Sequence, residues 1–126
     1  MKLADVINLL ELEELVAGDH EFEVRTACGA DLMSDVLAFS QEKTLLLTGL
    51  TNPQVVRTAE ITDIKIIIFV RGKRPPLDTV ELAREKEIAL YLSGKPLFEC
   101  CGLLYNKGLK SENIREIEET ELGDLK

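Results

Sequence analysis

Two short apolar runs with a capped helix between them constrain this chain more than any other feature. Thr44 to Thr48 and Ile64 to Val70 are almost unbroken in apolar side chains, and both are too short for a helix. Such runs, bounded by turn residues and rich in β-branched or aliphatic side chains, are the pattern of strands buried on both faces. Between them, Gly49 permits a sharp turn, Thr51 or Asn52 can cap a helix, and Pro53 is tolerated in its first turn. Val55, Val56, Ala59 and Thr62 give that helix a buried side. Strand, turn, helix and strand make one βαβ unit, which requires the two strands to be parallel.

The rest of the chain extends this unit. Leu3, Val6, Ile7 and Leu10 recur at helical spacing and predict an opening amphipathic helix, which Glu11 to Glu14 end or extend on a solvated side. Leu15 to Ala17 is a short strand candidate closed by Gly18-Asp19. Glu21 to Thr26 alternates around Phe22 and Val24, which predicts a half-buried strand running on toward Gly29. Asp31, then Leu32, Val36 and Phe39, predict a helix with an acidic start, where the dipole favours it. Gln41 to Lys43 is a polar break. After the loop from Arg71 to Pro76, Asp78 and Glu81 resemble a capping box. Ile88 to Leu92 is a third buried strand, and Pro96 opens a last helix with Leu97, Cys101 and Leu104 on one face, stopped near Gly108. The expected fold is therefore α/β: a single domain with a mainly parallel sheet and helices on both faces. It spans residues 1–110. Residues 111–126 form an acidic C-terminal tail, in which six carboxylates follow Ser111, expected to be partly frayed or packed on a partner.

Charge and cysteine content narrow the function. At 126 residues the chain can bury a core of its own. A net charge of -8 argues against nucleic acid and against an anionic membrane, since both would repel it. No apolar run approaches the roughly 20 residues that span a bilayer. Asp5 interrupts any signal-peptide core near the start, so a cytoplasmic protein is expected. Three cysteines, an odd number without a disulfide framework, agree with a reducing compartment.

Candidate ligand residues collect where the strands end. In open parallel sheets, ligands bind beyond the strand carboxyl ends. Four Gly-bearing loops belong there: Cys28 to Asp31, Thr48 to Asn52, Val70 to Lys73, and Leu92 to Lys95. Free backbone N–H groups at helix starts favour anions, and Arg71, Lys73, Arg74 and Lys95 add positive charge to the same edge of an acidic protein. A small anion, such as a nucleotide or phosphate compound, would meet Gly29, Asp31, Thr48, Gly49, Thr51, Asn52, Arg71, Gly72 and Lys73, with Arg57 projecting toward that edge or toward a neighbouring chain. The plainer alternative is that the glycines only make turns and the cations are solvated. No Walker pattern and no G-x-G-x-x-G fingerprint is present.

Cys28 with Cys100 or Cys101 could form a redox pair or a soft-metal site, but the spacing matches no C-x-x-C ligand pair, and core packing is the alternative. His20 lies between Asp19 and Glu21 and is expected at the surface rather than as a catalytic base. Asp31 with Asp35, and Glu60 with Asp63, have spacings that could hold a hard cation, although solvated helix charges are commoner. No catalytic residue, metal ligand or cofactor is assigned, and the chain is expected not to be an enzyme.

Four blocks in order, Gly29 to Ala38, Leu47 to Glu60, Ile68 to Pro75 and Phe98 to Tyr105, resemble the DRTGG domain family over residues 1 to 110. The resemblance implies a fold like the amino-terminal domain of HPr kinase and a regulatory or sensory role without catalysis, with self-association. In this family the domain occurs beside CBS-pair modules and within some phosphate acetyltransferases. Stand-alone versions resemble proteins encoded near iron hydrogenase components and small kinases, so the resemblance implies hydrogenase- or kinase-associated partners. Leu50 and Thr51 stand where the family has its Asp-Arg pair, and Val70, Arg71 and Gly72 where it has Thr-Gly-Gly. An interaction scaffold without a ligand is the second expectation, and a cysteine-based redox or metal protein the third.

Overall fold

The structure, a computed structural model, describes residues 1–39 and 44–111. The chain runs α1 (Leu3–Leu10), β1 (Glu13–Val16), β2 (Thr26–Gly29), α2 (Met33–Phe39), β3 (Thr44–Thr48), α3 (Pro53–Ile61), β4 (Ile66–Phe69), α4 (Leu77–Glu85), β5 (Ala89–Leu92) and α5 (Leu97–Asn106). One five-stranded sheet is ordered β1-β5-β4-β3-β2. Strands β2 to β5 are parallel, and β1 pairs antiparallel with β5, with an irregularity between Glu14 and Val16. The expected α/β architecture, with a mainly parallel sheet and helices on both faces, is present.

Side-chain alternation sorts the core. Leu45, Leu47, Ile66, Ile68, Ala89 and Tyr91 face α1 and α5, where Leu3, Val6, Leu10, Cys100 and Leu104 meet them. Leu46, Ile67, Phe69, Leu90 and Leu92 face the other way, onto Val36, Val55, Val56, Ala59 and Ala83 of α2, α3 and α4. Each of the three crossovers steps to the adjacent strand in the same direction, so right-handedness puts their helices on one face. All residues of β3, β4 and β5 are buried, as expected of strands covered on both faces. After α5, Lys110 forms an isolated parallel bridge with Thr26, and its carbonyl accepts from the Ala27 N–H at 2.9 Å.

Several boundaries differ from expectation for identifiable reasons. The alternating run from Glu21 to Thr26 is not a strand; β2 begins at Thr26, where β3 supplies a partner. Phe22 and Val24 alternate because they serve the start of α1: Leu3 N–H donates to Phe22 O at 2.9 Å and Val24 N–H to Met1 O at 2.8 Å. Glu11 does not extend α1 but sits in the left-handed region (φ 54), and β1 follows at Glu13 rather than Leu15. No capping box opens α4. Its cap is Pro76 without a side-chain bond, and Asp78 Oδ1 accepts from the Thr79 N–H at 2.9 Å instead. The polar break at 41–43 and the acidic tail from residue 112 lie outside the described residues, as does the Phe39 side chain.

Tyr91 ties the antiparallel edge to the sheet. Its ring is fully buried, its hydroxyl accepts from the Gly18 N–H at 3.1 Å and donates to Glu14 Oε1 at 3.0 Å. Gly18 cannot be replaced cheaply, since a Cβ there would lie 2.7 Å from Ala89 Cβ. Burial, with the Glu14 carboxylate beside it, pushes the Tyr91 phenol up to about 12 from its ordinary 10.0, against a lowering by the Gly18 N–H. The unfolded chain therefore gives up this proton first as pH rises. Tyr91 should favour folding fully below about pH 10, and that contribution should fade through about pH 12. Urea midpoints measured across this range should fall, and Tyr91→Phe should flatten that fall. An identical alkaline slope in both proteins would assign it to other groups.

Candidate functional site

The carboxyl ends of β2, β3, β4 and β5 share one edge of the sheet, and the four predicted loops meet there. They are bonded to one another. Asp31 Oδ1 accepts from the Gly49 N–H at 2.8 Å and from the Thr48 hydroxyl at 3.1 Å, joining the β2–α2 loop to the β3–α3 loop. The Val70 N–H donates to Thr48 O at 3.1 Å, joining β4 to β3. The Arg71 N–H donates to Lys95 O at 2.9 Å and the Gly72 N–H to Ser93 O at 2.8 Å, joining the β4–α4 loop to the β5–α5 loop. The Thr79 hydroxyl donates to Thr51 O at 2.8 Å, so the first turn of α4 holds the start of α3. Asn52 caps α3 as expected, accepting from the Gln54 N–H at 3.0 Å.

The charges on this edge are not equivalent. Arg74 donates to Glu13 Oε1 at 2.6 Å, which holds that carboxyl below its usual range, and Lys95 Nζ lies 3.1 Å from Glu11 Oε2. The acidic run after α1 therefore neutralises two of the four predicted cations. Arg71 and Lys73 are exposed and make no ion pair among the described residues. Both Arg71 (φ 62) and Gly72 (φ 66) are left-handed, which turns the loop sharply and leaves the Arg71 side chain outside. Arg57 is exposed on α3 and is not bonded to any of these loops.

The glycines divide differently from expectation. Gly72 supplies the left-handed backbone. Gly49 does not: it has no left-handed φ, and an added Cβ would meet the Asp31 carboxylate at an ordinary 3.5 Å. Its contribution is the N–H that Asp31 accepts. Gly29 is small because α5 crosses over it, where a Cβ would come 2.8 Å from Cys101 Sγ.

The remaining candidates separate. Cys28 packs among the side chains facing α2 to α4, while Cys100 and Cys101 pack on the opposite face, so the sheet stands between the thiols. Burial pushes both the Cys100 and Cys101 thiols up, which disfavours the thiolate that redox or metal chemistry needs. No group of three or more potential metal ligands occurs among the described residues. His20 is exposed, with Nε2 3.2 Å from Glu14 Oε1. Asp63 pairs with Lys65 at 3.0 Å and Glu60 with Lys86 at 3.2 Å, so neither carboxylate serves the other. Thr79 and Ser93, which hold the loops together, carry no local signal that marks them. Leu32 and Leu77, assigned to no site in the sequence, are 60% and 69% exposed where α2 and α4 begin.

A cavity of about 530 Å³ lies at the opposite end of the strands, between Ala17, Gly18, Phe22, Lys65, Ile66 and Arg84. None of the predicted ligand residues lines it.

No family model matches the sequence, and no curated protein is similar to it. The fold is similar to a crystal structure of the CBS and DRTGG domains of the regulatory region of Clostridium perfringens pyrophosphatase, complexed with its activator diadenosine tetraphosphate. The TM-score is 0.69 at 16% identity, over 82% of this chain and 45% of that one. The chain thus has a DRTGG-like fold and spans less than half the length of the similar chain. No described helix is long and apolar enough to cross a membrane.

Proposed function

We propose that this chain is a non-catalytic regulatory module that takes a small anionic ligand, a nucleotide or other phosphate compound, at the strand carboxyl ends. The observation that carries this reading is the exposed pair Arg71 and Lys73, left without a carboxylate partner among the described residues although the chain is strongly acidic. The pair follows β4, whose carboxyl end is in register with that of β3, the strand that leads into the capped start of α3. A helix start and two cations together favour a phosphate group. The similar regulatory region was crystallised with a dinucleoside polyphosphate, which supports the same ligand class here. The cysteines, none of them in a disulfide, agree with a cytoplasmic setting. Partners among hydrogenase- or kinase-associated proteins follow only from the family resemblance.

Thermal-shift measurements with mononucleotides, diadenosine tetraphosphate, pyrophosphate and phosphate test the reading. A ligand at 100 times its Kd adds about 2.7 kcal/mol to the native state. That should raise the midpoint of a domain this size by several degrees. No shift with any of these compounds would favour an interaction scaffold without a small ligand.

A further inference from the structure

The outward face of α5 has no partner within the described chain. Phe98 is 89% exposed and Tyr105 is 59% exposed, and seven-residue spacing puts both on one stripe. Gly102 lies between them, exposed, with nothing within 4 Å of the position a Cβ would take. Glycine is a poor helix former, and no contact among the described residues requires it at this site. Its absent side chain does allow another backbone to approach between two aromatic rings. Glu99 beside the stripe makes no salt bridge among the described residues. At the far end, Lys110 Nζ lies 4.2 Å from the centre of the Tyr105 ring and likewise makes no salt bridge there.

We infer that this stripe is the interface for a second copy of the chain, with the two α5 helices antiparallel about a two-fold axis at Gly102. That arrangement sets Glu99 of each copy opposite Tyr105 of the other, where Lys110 already lies. The stripe carries both halves of the charge pair, so one two-fold contact forms that pair twice, once at each end, as an isologous interface requires. A partner of different sequence would have to supply both halves itself. Four aromatic rings contribute on the order of 600–1,000 Å². Stable interfaces bury about 1,200–2,000 Å², so the dimer should be weak and concentration-dependent.

Sedimentation velocity of the full chain, from micromolar to submillimolar concentration, should show a reversible monomer–dimer equilibrium. Gly102→Gln should leave a monomer whose thermal midpoint at high dilution is higher than wild type, because a better helix former replaces glycine in open space. Glu99→Lys should weaken the dimer at least tenfold, and Glu99→Lys with Lys110→Glu should restore it. A wild-type chain that stays monomeric throughout would overturn the proposal, as would a dimer that Gly102→Gln leaves intact. A monomer destabilised by Phe98→Ser would mean that the chain itself covers the stripe, and would overturn it equally.

Discussion

Replacing Phe69 with alanine is expected to remove about 3–5 kcal/mol of stability. The side chain is fully buried at the end of β4, against the helices α2 to α4. Its loss removes apolar burial and leaves a cavity that the surrounding aliphatic side chains close only in part. Domains of this kind are stable by about 5–15 kcal/mol in all, so the variant should lie near the limit of folding. The same change at Phe98, which is 89% exposed, should alter monomer stability by less than about 0.5 kcal/mol. Denaturant unfolding at a concentration where the chain is monomeric compares the two directly. Comparable losses at both positions would mean that Phe98 is buried in solution. Little loss at Phe69 would mean that the sheet does not pack on α2 to α4 as described. The consequence reaches the candidate site: Phe69 O accepts from the Ser93 N–H at 2.8 Å, and Val70 continues the strand into the Arg71 loop.

The core was legible because its signal is local. Three leucines between threonines, and four apolar residues in succession in β4, have few solutions other than strands buried on both faces. Asn52 and Pro53 announced the start of α3 through capping chemistry that acts within three residues. The misplaced β2 marks the limit of such signals. Phe22 and Val24 have the period of a strand, but a strand also needs a neighbour, and β3 faces Thr26 to Gly29 instead. The split among the cysteines could have been reasoned from parity once Cys28 was known to lie opposite Leu46, yet that register is a tertiary fact. The cations at the edge were unreadable for the same reason. Arg74 meets Glu13 across 61 residues and Lys95 meets Glu11 across 84, and nothing near either one distinguishes it from Arg71 or Lys73. Gly29 and Gly18 likewise matter because of Cys101 and Ala89, distant in the chain, whereas Gly49, more prominent in the sequence, tolerates a Cβ.

The same separation of charges sets the expected result for the ligand edge. Arg71→Ala with Lys73→Ala should weaken a polyphosphate ligand at least tenfold, because each cation can make a charge-assisted hydrogen bond to phosphate. Thermal stability without ligand should change little, since both side chains are exposed and unpaired within the described chain. Lys95→Ala is the informative control. Its ammonium is held by Glu11, and hydrogen bonding to that carboxylate raises its pKa, so it should contribute little to ligand affinity. Glu11→Gln should release Lys95 and strengthen binding, most visibly at low salt, where charges separated by several ångströms still interact. Calorimetric titration of the four proteins distinguishes a defined site from a diffuse field. A site built on Arg71 and Lys73 predicts a large loss in the double variant and almost none in Lys95→Ala. A diffuse field predicts losses in proportion to the charge removed, about half as large in Lys95→Ala. Unchanged affinity in the double variant would place the ligand away from the carboxyl edge, and would leave Arg71 and Lys73 as solvated charges on a turn.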